Sequence, residues 1–136
     1  MARPLYLDSS AILRSVLEQG LSPDVEAQIS RADILLTSRL SLVETARTFL
    51  RVRALGEKPE GVIADAERSV RNLWRHCEIW ELSPEVCELA ERVAPTTLLR
   101  SLDALHLATF TLARREIGDL ELLTADVRLR EAAEAS

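Results

Sequence analysis

Short apolar segments alternate with helical segments along this chain, and that alternation limits the folds open to it. Four short segments are predicted as strands, at Leu5–Leu7, Ile34–Thr37, Glu78–Leu82 and Leu120–Thr124. Strands that alternate with helices are typical of a parallel sheet covered by helices on both faces. The sequence therefore predicts an α/β fold, and no linker or repeat divides residues 1–136 into more than one domain.

Seven helices are predicted around these strands. Ser9 or Asp8 caps the first helix and Gly20 ends it, while Ser22 caps the second, which begins at Pro23. Gly56 ends the third helix, which has a strong helical pattern. The predicted helices run from Ser9 to Glu18, Pro23 to Ser30, Ser41 to Leu55, Val62 to Trp74, Pro84 to Ala94, Leu102 to Glu116 and Asp126 to Ala135.

The composition favours one ordinary globular core. Hydrophobic residues make up 47% of the chain and charged residues 29%. The net charge of −5 argues against a protein that only binds nucleic acid, because such proteins are usually basic.

The N-terminus does not read as a signal peptide, and no apolar run approaches the roughly 18 residues that span a bilayer, so we expect a cytoplasmic protein with no membrane partner. Cys77 and Cys87 are predicted as buried thiols rather than zinc ligands.

Four acidic residues follow the predicted strands or begin the helices after them. Asp8 closes the first strand, Glu44 lies one turn into the third helix, Asp103 begins the sixth helix and Asp126 follows the last strand. Because ligands of open parallel sheets bind beyond the carboxyl ends of the strands, the four side chains are expected to converge at that edge.

Each acid also has a purely structural interpretation. Asp8 could cap a helix, and Ser41 with Glu44 matches a capping box. Asp103 and Asp126 could lie in first helical turns, where the helix dipole favours negative charge. Together, however, four acids in one crevice would repel one another unless cations neutralise them. An all-oxygen site suits Mg²⁺ or Mn²⁺, and two such ions about 3.5–4 Å apart commonly support attack on a phosphodiester.

Four segments resemble the PIN-domain nucleases, and within them the VapC-like toxins of bacterial toxin–antitoxin pairs. The segments lie at 7–10, 41–44, 100–108 and 122–129, in the family's order, and the segment around Asp103 is the most specific. The resemblance implies a single PIN domain over residues 1–136. Family members often add a strand after the last helix, so we expect a short, mostly parallel sheet of four or five strands flanked by about seven helices.

The resemblance also implies an activity and a set of site residues. The expected function is Mg²⁺-dependent (or Mn²⁺-dependent) endoribonuclease cleavage that leaves a 5′ phosphate and a 3′ hydroxyl. Asp8, Glu44, Asp103 and Asp126 match the family's catalytic and metal-binding acids. Ser9 and Thr124 match polar positions beside the first and last of them.

The implied partners follow the toxin–antitoxin pattern. Besides its RNA substrate, the chain is expected to bind a VapB-like antitoxin, to form a homodimer, and to assemble with the antitoxin into a heterotetramer or larger complex. Contact with DNA is expected only through the antitoxin. The outcome would be a toxin that inhibits growth and translation.

Other residues and functions are weaker candidates. Arg100 and Arg128 lie near Asp103 and Asp126 in sequence and could contact a substrate phosphate or an antitoxin carboxylate. His106 could relay a proton, but its apolar neighbours favour a structural histidine. The alternatives are an RNA-processing PIN-like nuclease outside a toxin–antitoxin pair and a non-catalytic PIN-like interaction module. An aspartyl phosphatase is disfavoured because Ser10 stands where a second aspartate would be needed.

Overall fold

A computed structural model describes residues 3–17 and 23–136. The predicted helix stop at Gly20 and cap at Ser22 lie outside the described residues. The described strands are β1 (Pro4–Leu7), β2 (Ile34–Ser38), β3 (Glu78–Trp80) and β4 (Glu121–Leu123). They form one four-stranded sheet in the order β3-β2-β1-β4, and every neighbouring pair is parallel. The predicted parallel α/β fold is therefore confirmed.

Seven helices of the described chain surround this sheet, as predicted. They are α1 (Ser9–Leu17), α2 (Pro23–Arg31), α3 (Arg39–Leu55), α4 (Glu60–Arg75), α5 (Pro84–Ala90), α6 (Ser101–Glu116) and α7 (Val127–Glu134). Gly56 ends α3 in the left-handed region, at φ +66°, where its amide donates to the Arg53 carbonyl. Helix α5 ends four residues before the predicted position.

The sheet separates two apolar cores because successive side chains of a strand point to opposite faces. On one face, Leu5 and Leu7 pack in a core with α1, α3 and α4, including Phe49 and Trp74. On the other face, Tyr6 packs with Leu36 and with apolar side chains of α6 and α7. The alternation within β1 thus covers both faces of the sheet with helices.

Strand β1 lies between β2 and β4, and this position decides what surrounds its carboxyl end. Leu7 pairs with Thr37 on one side and with Leu123 on the other. The Asp8 amide continues the ladder by donating to the Leu123 carbonyl at 3.0 Å. Residues that follow β2 and β4 are therefore brought next to Asp8.

Two other expectations bear on the surface. Cys77 is half-buried, but Cys87 is exposed, so the prediction of two buried thiols was wrong for Cys87. Helix α5 buries Val86 and Leu89, and this spacing turns Cys87 outward. Across the described helices, none is both long enough and apolar enough to cross a membrane.

Candidate active site and metal centre

The four predicted acids all lie at the carboxyl edge of the sheet. Asp8 follows β1 directly and is only 4% exposed, and Glu44 lies in the second turn of α3. Asp103 lies in the first turn of α6, and Asp126 is the N-cap residue of α7. Both are half-buried. The topology thus places the acids together although they lie on four different elements.

Asp8, Glu44 and His106 form the centre of this site. The His106 Nε2 lies 2.6 Å from the Glu44 Oε1 and 3.3 Å from the Asp8 Oδ1. One ligand atom from each of the three residues lies within 4.8 Å of the others. His106 is 1% exposed, so solvent screens the charge interactions of its ring only weakly.

Asp8 is held through one of its two carboxylate oxygens. Its Oδ2 accepts hydrogen bonds from the Ser10 hydroxyl at 2.5 Å and from the Thr124 hydroxyl at 2.7 Å. The Ser10 hydroxyl in turn accepts from the Ala125 amide. These bonds fix the carboxylate and leave Oδ1 directed toward His106 and Glu44. Thr124 was a predicted site residue, whereas Ser10 was not.

Glu44 is not part of a capping box, so that structural alternative was wrong. Ser38 is the N-cap of α3, and its hydroxyl accepts from the Leu40 amide. Ser41 lies inside the helix, fully buried. Glu44 instead reaches across the site, where its Oε1 accepts from the Ser9 hydroxyl at 3.0 Å and bonds to His106. Ser9, predicted as an auxiliary residue, therefore contacts one of the acids.

Asp103 faces a cleft of about 680 Å³ that is also lined by Glu44 and Asp126. Burial raises the pKa of the Asp103 carboxyl, and the negative charges of Asp126 and Asp8 raise it further. Arg100 and Arg128, the two predicted arginine contacts, line the same cleft. A cleft lined by both acids and arginines can hold cations next to an anionic ligand.

Asp126 combines the two interpretations drawn from its position in the sequence. Its Oδ1 accepts from the Leu129 amide at 3.0 Å and so caps α7. Its own amide donates to the Thr124 hydroxyl. The capping bond occupies one oxygen, and no residue of the described chain donates a hydrogen bond to the other.

His106 is the residue whose place in the site sequence reasoning missed. Its environment is buried, as a structural histidine requires, yet its ring contacts two of the acids directly. Burial opposes the charged form, but the hydrogen bond to Glu44 and the charge of Asp8 outweigh it and raise the pKa of His106. The spacing from Asp103 to His106 puts both on one helix face, a signal that could have identified it.

The donor set fits a hard divalent cation. The site offers carboxylate oxygens from four residues, which suits Mg²⁺ or Mn²⁺ better than softer metals. Within residues 3–17 and 23–136, no lysine or arginine lies within ion-pair distance of these four carboxylates. Among the described residues, His106 offsets part of this negative charge, so a cation would be strongly attracted.

Comparisons with known proteins identify the family of the chain. The family model described as PIN domain matches residues 5–135. Ribonuclease VapC45 of Mycobacterium tuberculosis is 31% identical over 134 residues, which cover 97% of this chain and 90% of that protein. Two crystal structures share the fold. PAE2754 from Pyrobaculum aerophilum has a TM-score of 0.68 at 19% identity, covering 100% of this chain and 90% of that one.

The second structure is VapBC2 from Rickettsia felis bound to a DNA fragment from their promoter. It has a TM-score of 0.57 at 11% identity and covers 90% of this chain and 99% of the matched chain. Both structures are too distant in sequence to show more than the fold. The family-model match over residues 5–135 and the identity to VapC45 show the family. This chain belongs to the PIN-domain family.

Proposed function

We propose that this protein is an endoribonuclease that depends on Mg²⁺ or Mn²⁺. The observation that carries the proposal is the convergence of four acids on one edge of the sheet. Asp8 meets Glu44 at His106, and Glu44 lines one cleft together with Asp103 and Asp126. No lysine or arginine of the described chain forms an ion pair with these acids. Relatives that cover most of the chain are named ribonucleases, which supports RNA as the substrate.

The roles of the residues follow from their contacts. Asp8, Glu44, Asp103 and Asp126 would hold the cation, which would lower the pKa of a bound water and offset the negative charge of the phosphate. Thr124 fixes Asp8 through its Oδ2, and Ser9 fixes Glu44 through its Oε1.

Arg100 and Arg128 are exposed residues in the lining of the cleft, where they meet a phosphate of the RNA or a carboxylate of a partner. Their positive charge lies beside the acids rather than among them. The chain can therefore attract an anionic ligand without losing the charge that holds the cation.

The direct test compares wild-type protein with Asp103→Asn on a labelled RNA pool. We expect wild-type protein to cut RNA with added Mg²⁺ or Mn²⁺ and to stop cutting in EDTA. The Asp103→Asn variant should cut RNA at least about a hundredfold more slowly than wild-type protein. Asp119→Asn is the matched control, because Asp119 is exposed and lies at the opposite edge of the sheet. Undiminished cutting by metal-loaded Asp103→Asn would contradict the proposal.

We further propose that the protein is the toxin of a toxin–antitoxin pair in the cytoplasm. The VapC names of its relatives and its fold likeness to a VapBC complex support a VapB-like antitoxin as partner. The expected assembly is a homodimer that joins the antitoxin in a heterotetramer or larger complex. Contact with DNA then runs through the antitoxin.

Induced expression tests this role. Wild-type protein should stop growth, Asp103→Asn should not, and co-expression of a VapB-like antitoxin that binds the protein should restore growth. Cleavage in vitro without growth arrest would instead favour an RNA-processing nuclease outside a toxin–antitoxin pair. Normal function of Asp103→Asn and of metal-free protein would favour a non-catalytic interaction module.

A further inference from the structure

A chain of hydrogen bonds runs from the core of the protein into the acidic site. The Tyr6 hydroxyl lies 2.9 Å from the His106 Nδ1, and the His106 Nε2 lies 2.6 Å from the Glu44 Oε1. Tyr6 is completely buried on the face of the sheet that packs against α6. Nothing in the proposed function yet uses Tyr6 or His106.

The donor and acceptor chemistry fixes the direction of the hydrogen bond between His106 and Glu44. An ionised carboxylate can only accept, so the proton of the His106–Glu44 bond belongs to the His106 Nε2. The Nδ1 then accepts from the Tyr6 hydroxyl when the ring is neutral and donates to the same hydroxyl when the ring is charged. A phenol can both donate and accept, so the Tyr6 hydroxyl can pair with the Nδ1 in either state. The Nε2 proton therefore stays directed at Glu44 whether the ring is neutral or charged.

The packing keeps the imidazole ring in place. The rings of Tyr6 and His106 meet edge to face with centroids 6.1 Å apart, and Phe110 also packs edge to face against Tyr6, with centroids 5.9 Å apart. His106 is buried on α6, so the ring has little room to rotate. The position of Glu44 is therefore set from the core rather than by solvent.

The consequence concerns which oxygen of Glu44 is presented. Its Oε1 takes both hydrogen bonds, from Ser9 and His106, whereas no described residue donates to its Oε2. We propose that Tyr6 and His106 are positioning residues that hold Glu44 by one oxygen and leave the other for a divalent cation. This inference rests on the proposed metal-dependent function.

Direct ligation by His106 is the competing arrangement, since its Nε2 lies among the clustered ligand atoms. A nitrogen that carries the proton of a hydrogen bond has no lone pair for a cation. Mg²⁺ also prefers oxygen ligands. The geometry therefore favours a histidine that acts through Glu44, as groups outside the ligand set commonly do in metal sites.

Tyr6→Phe tests the inference because it removes only the hydroxyl. We expect its affinity for Mn²⁺, measured by calorimetry without RNA, to fall about tenfold. A high Mn²⁺ concentration should restore its cleavage rate to the wild-type value, which it could not do for a merely unfolded variant. Thr111→Val is the matched control, since it removes a buried hydroxyl of α6 that has no hydrogen-bond partner. It should bind Mn²⁺ like wild-type protein.

Nitrogen NMR of His106 gives a second reading that needs no activity. In wild-type protein the Nε2 should keep its proton before and after Mg²⁺ is added, whereas direct ligation by His106 would remove that proton. Loss of the Nε2 proton on Mg²⁺ addition would overturn this inference but not the proposed function. Unchanged Mn²⁺ affinity in Tyr6→Phe would do the same. Absence of cation binding by wild-type protein would overturn the proposed function as well.

Discussion

The charged side chain of Asp103 lowers the free energy of unfolding of the metal-free protein. Its carboxyl is partly buried near Asp126 and Asp8, and its pKa is raised, so the folded chain binds its proton more tightly than the unfolded chain does. Stability therefore falls as the pH rises from the ordinary carboxyl pKa through the raised value and stays lower above it. In EDTA at pH 7, Asp103→Asn should melt at a higher temperature than wild-type protein, as scanning calorimetry would measure.

This gain should depend on pH and on place. Below the ordinary carboxyl pKa both side chains are uncharged, so the difference in Tm should nearly vanish. Asp119→Asn should show no comparable gain, since that carboxylate is exposed. A lower Tm for Asp103→Asn at pH 7 would mean that the charge stabilises the metal-free site and would contradict this account.

The two cysteines differ enough to be separated chemically. Burial raises the pKa of the Cys77 thiol to about 12, and its thiol donates to the Leu73 carbonyl. Since the thiolate is the reactive form, iodoacetamide at pH 8 should modify the exposed Cys87 and spare Cys77. Mass spectrometry of native and urea-unfolded protein checks this, because both residues should react after unfolding. Equal labelling of the two in the native protein would be the contrary result.

At the residue scale, sequence reasoning found the acids but not what holds them. Asp8, Glu44, Asp103 and Asp126 were predicted from their positions after strands, which is a local pattern. Their partners are set by contacts between distant parts of the chain, such as Glu44 with His106 across 62 positions and Ser10 with Thr124 across 114. The sequence neighbours of His106 are apolar. Its hydrogen bond to Glu44 forms only in the folded protein, where α3 and α6 come together.

The junction between α3 and α4 depends on the backbone of one glycine. A Cβ at Gly56 or at Gly61 would meet nothing within 4 Å, so neither substitution is blocked by contacts. Gly56, however, has φ +66°, whereas Gly61 lies in α4. Gly56→Ala should reduce the free energy of unfolding by about 1 kcal/mol through backbone strain. Gly61→Ala should raise it by up to about 1 kcal/mol, because alanine favours the helix.

Urea denaturation of the two variants measures both effects. Each variant serves as the control for the other, since both add the same methyl group to the same helical hairpin. Equal changes in the two variants would show that the φ angle of Gly56 is not what ends α3.

Elements were predicted well where their signals are local and less well where pairing sets their length. The Gly56 stop and the helix start at Pro84 are local signals, and both are confirmed. The edge strand β3 is shorter than its apolar pattern because it pairs only with Leu36–Ser38 of β2. The start of α3 moved to Arg39 because the fully buried Ser38, which ends β2, also caps the helix.

For the whole molecule, the proposed cation should couple the site to global stability. Any ligand that binds only the folded state stabilises it, by about 2.7 kcal/mol when its concentration is 100 times its Kd. Mg²⁺ should therefore raise the urea midpoint of wild-type protein and have much less effect on Asp103→Asn. Sodium chloride at matched ionic strength controls for simple charge screening. An equal rise in both proteins would place the cation away from the four acids.

The parallel order of the sheet has a consequence for how the protein is made. The hydrogen bond between Thr124 and Asp8 spans 116 positions, and the Asp8 amide bonds to the last strand. A ribosome releases β1 long before β4, so the four carboxylates cannot assemble while most of the chain is being synthesised. For the proposed endoribonuclease, this timing would spare the messenger RNA and the ribosome that are producing it until β4 has emerged and docked.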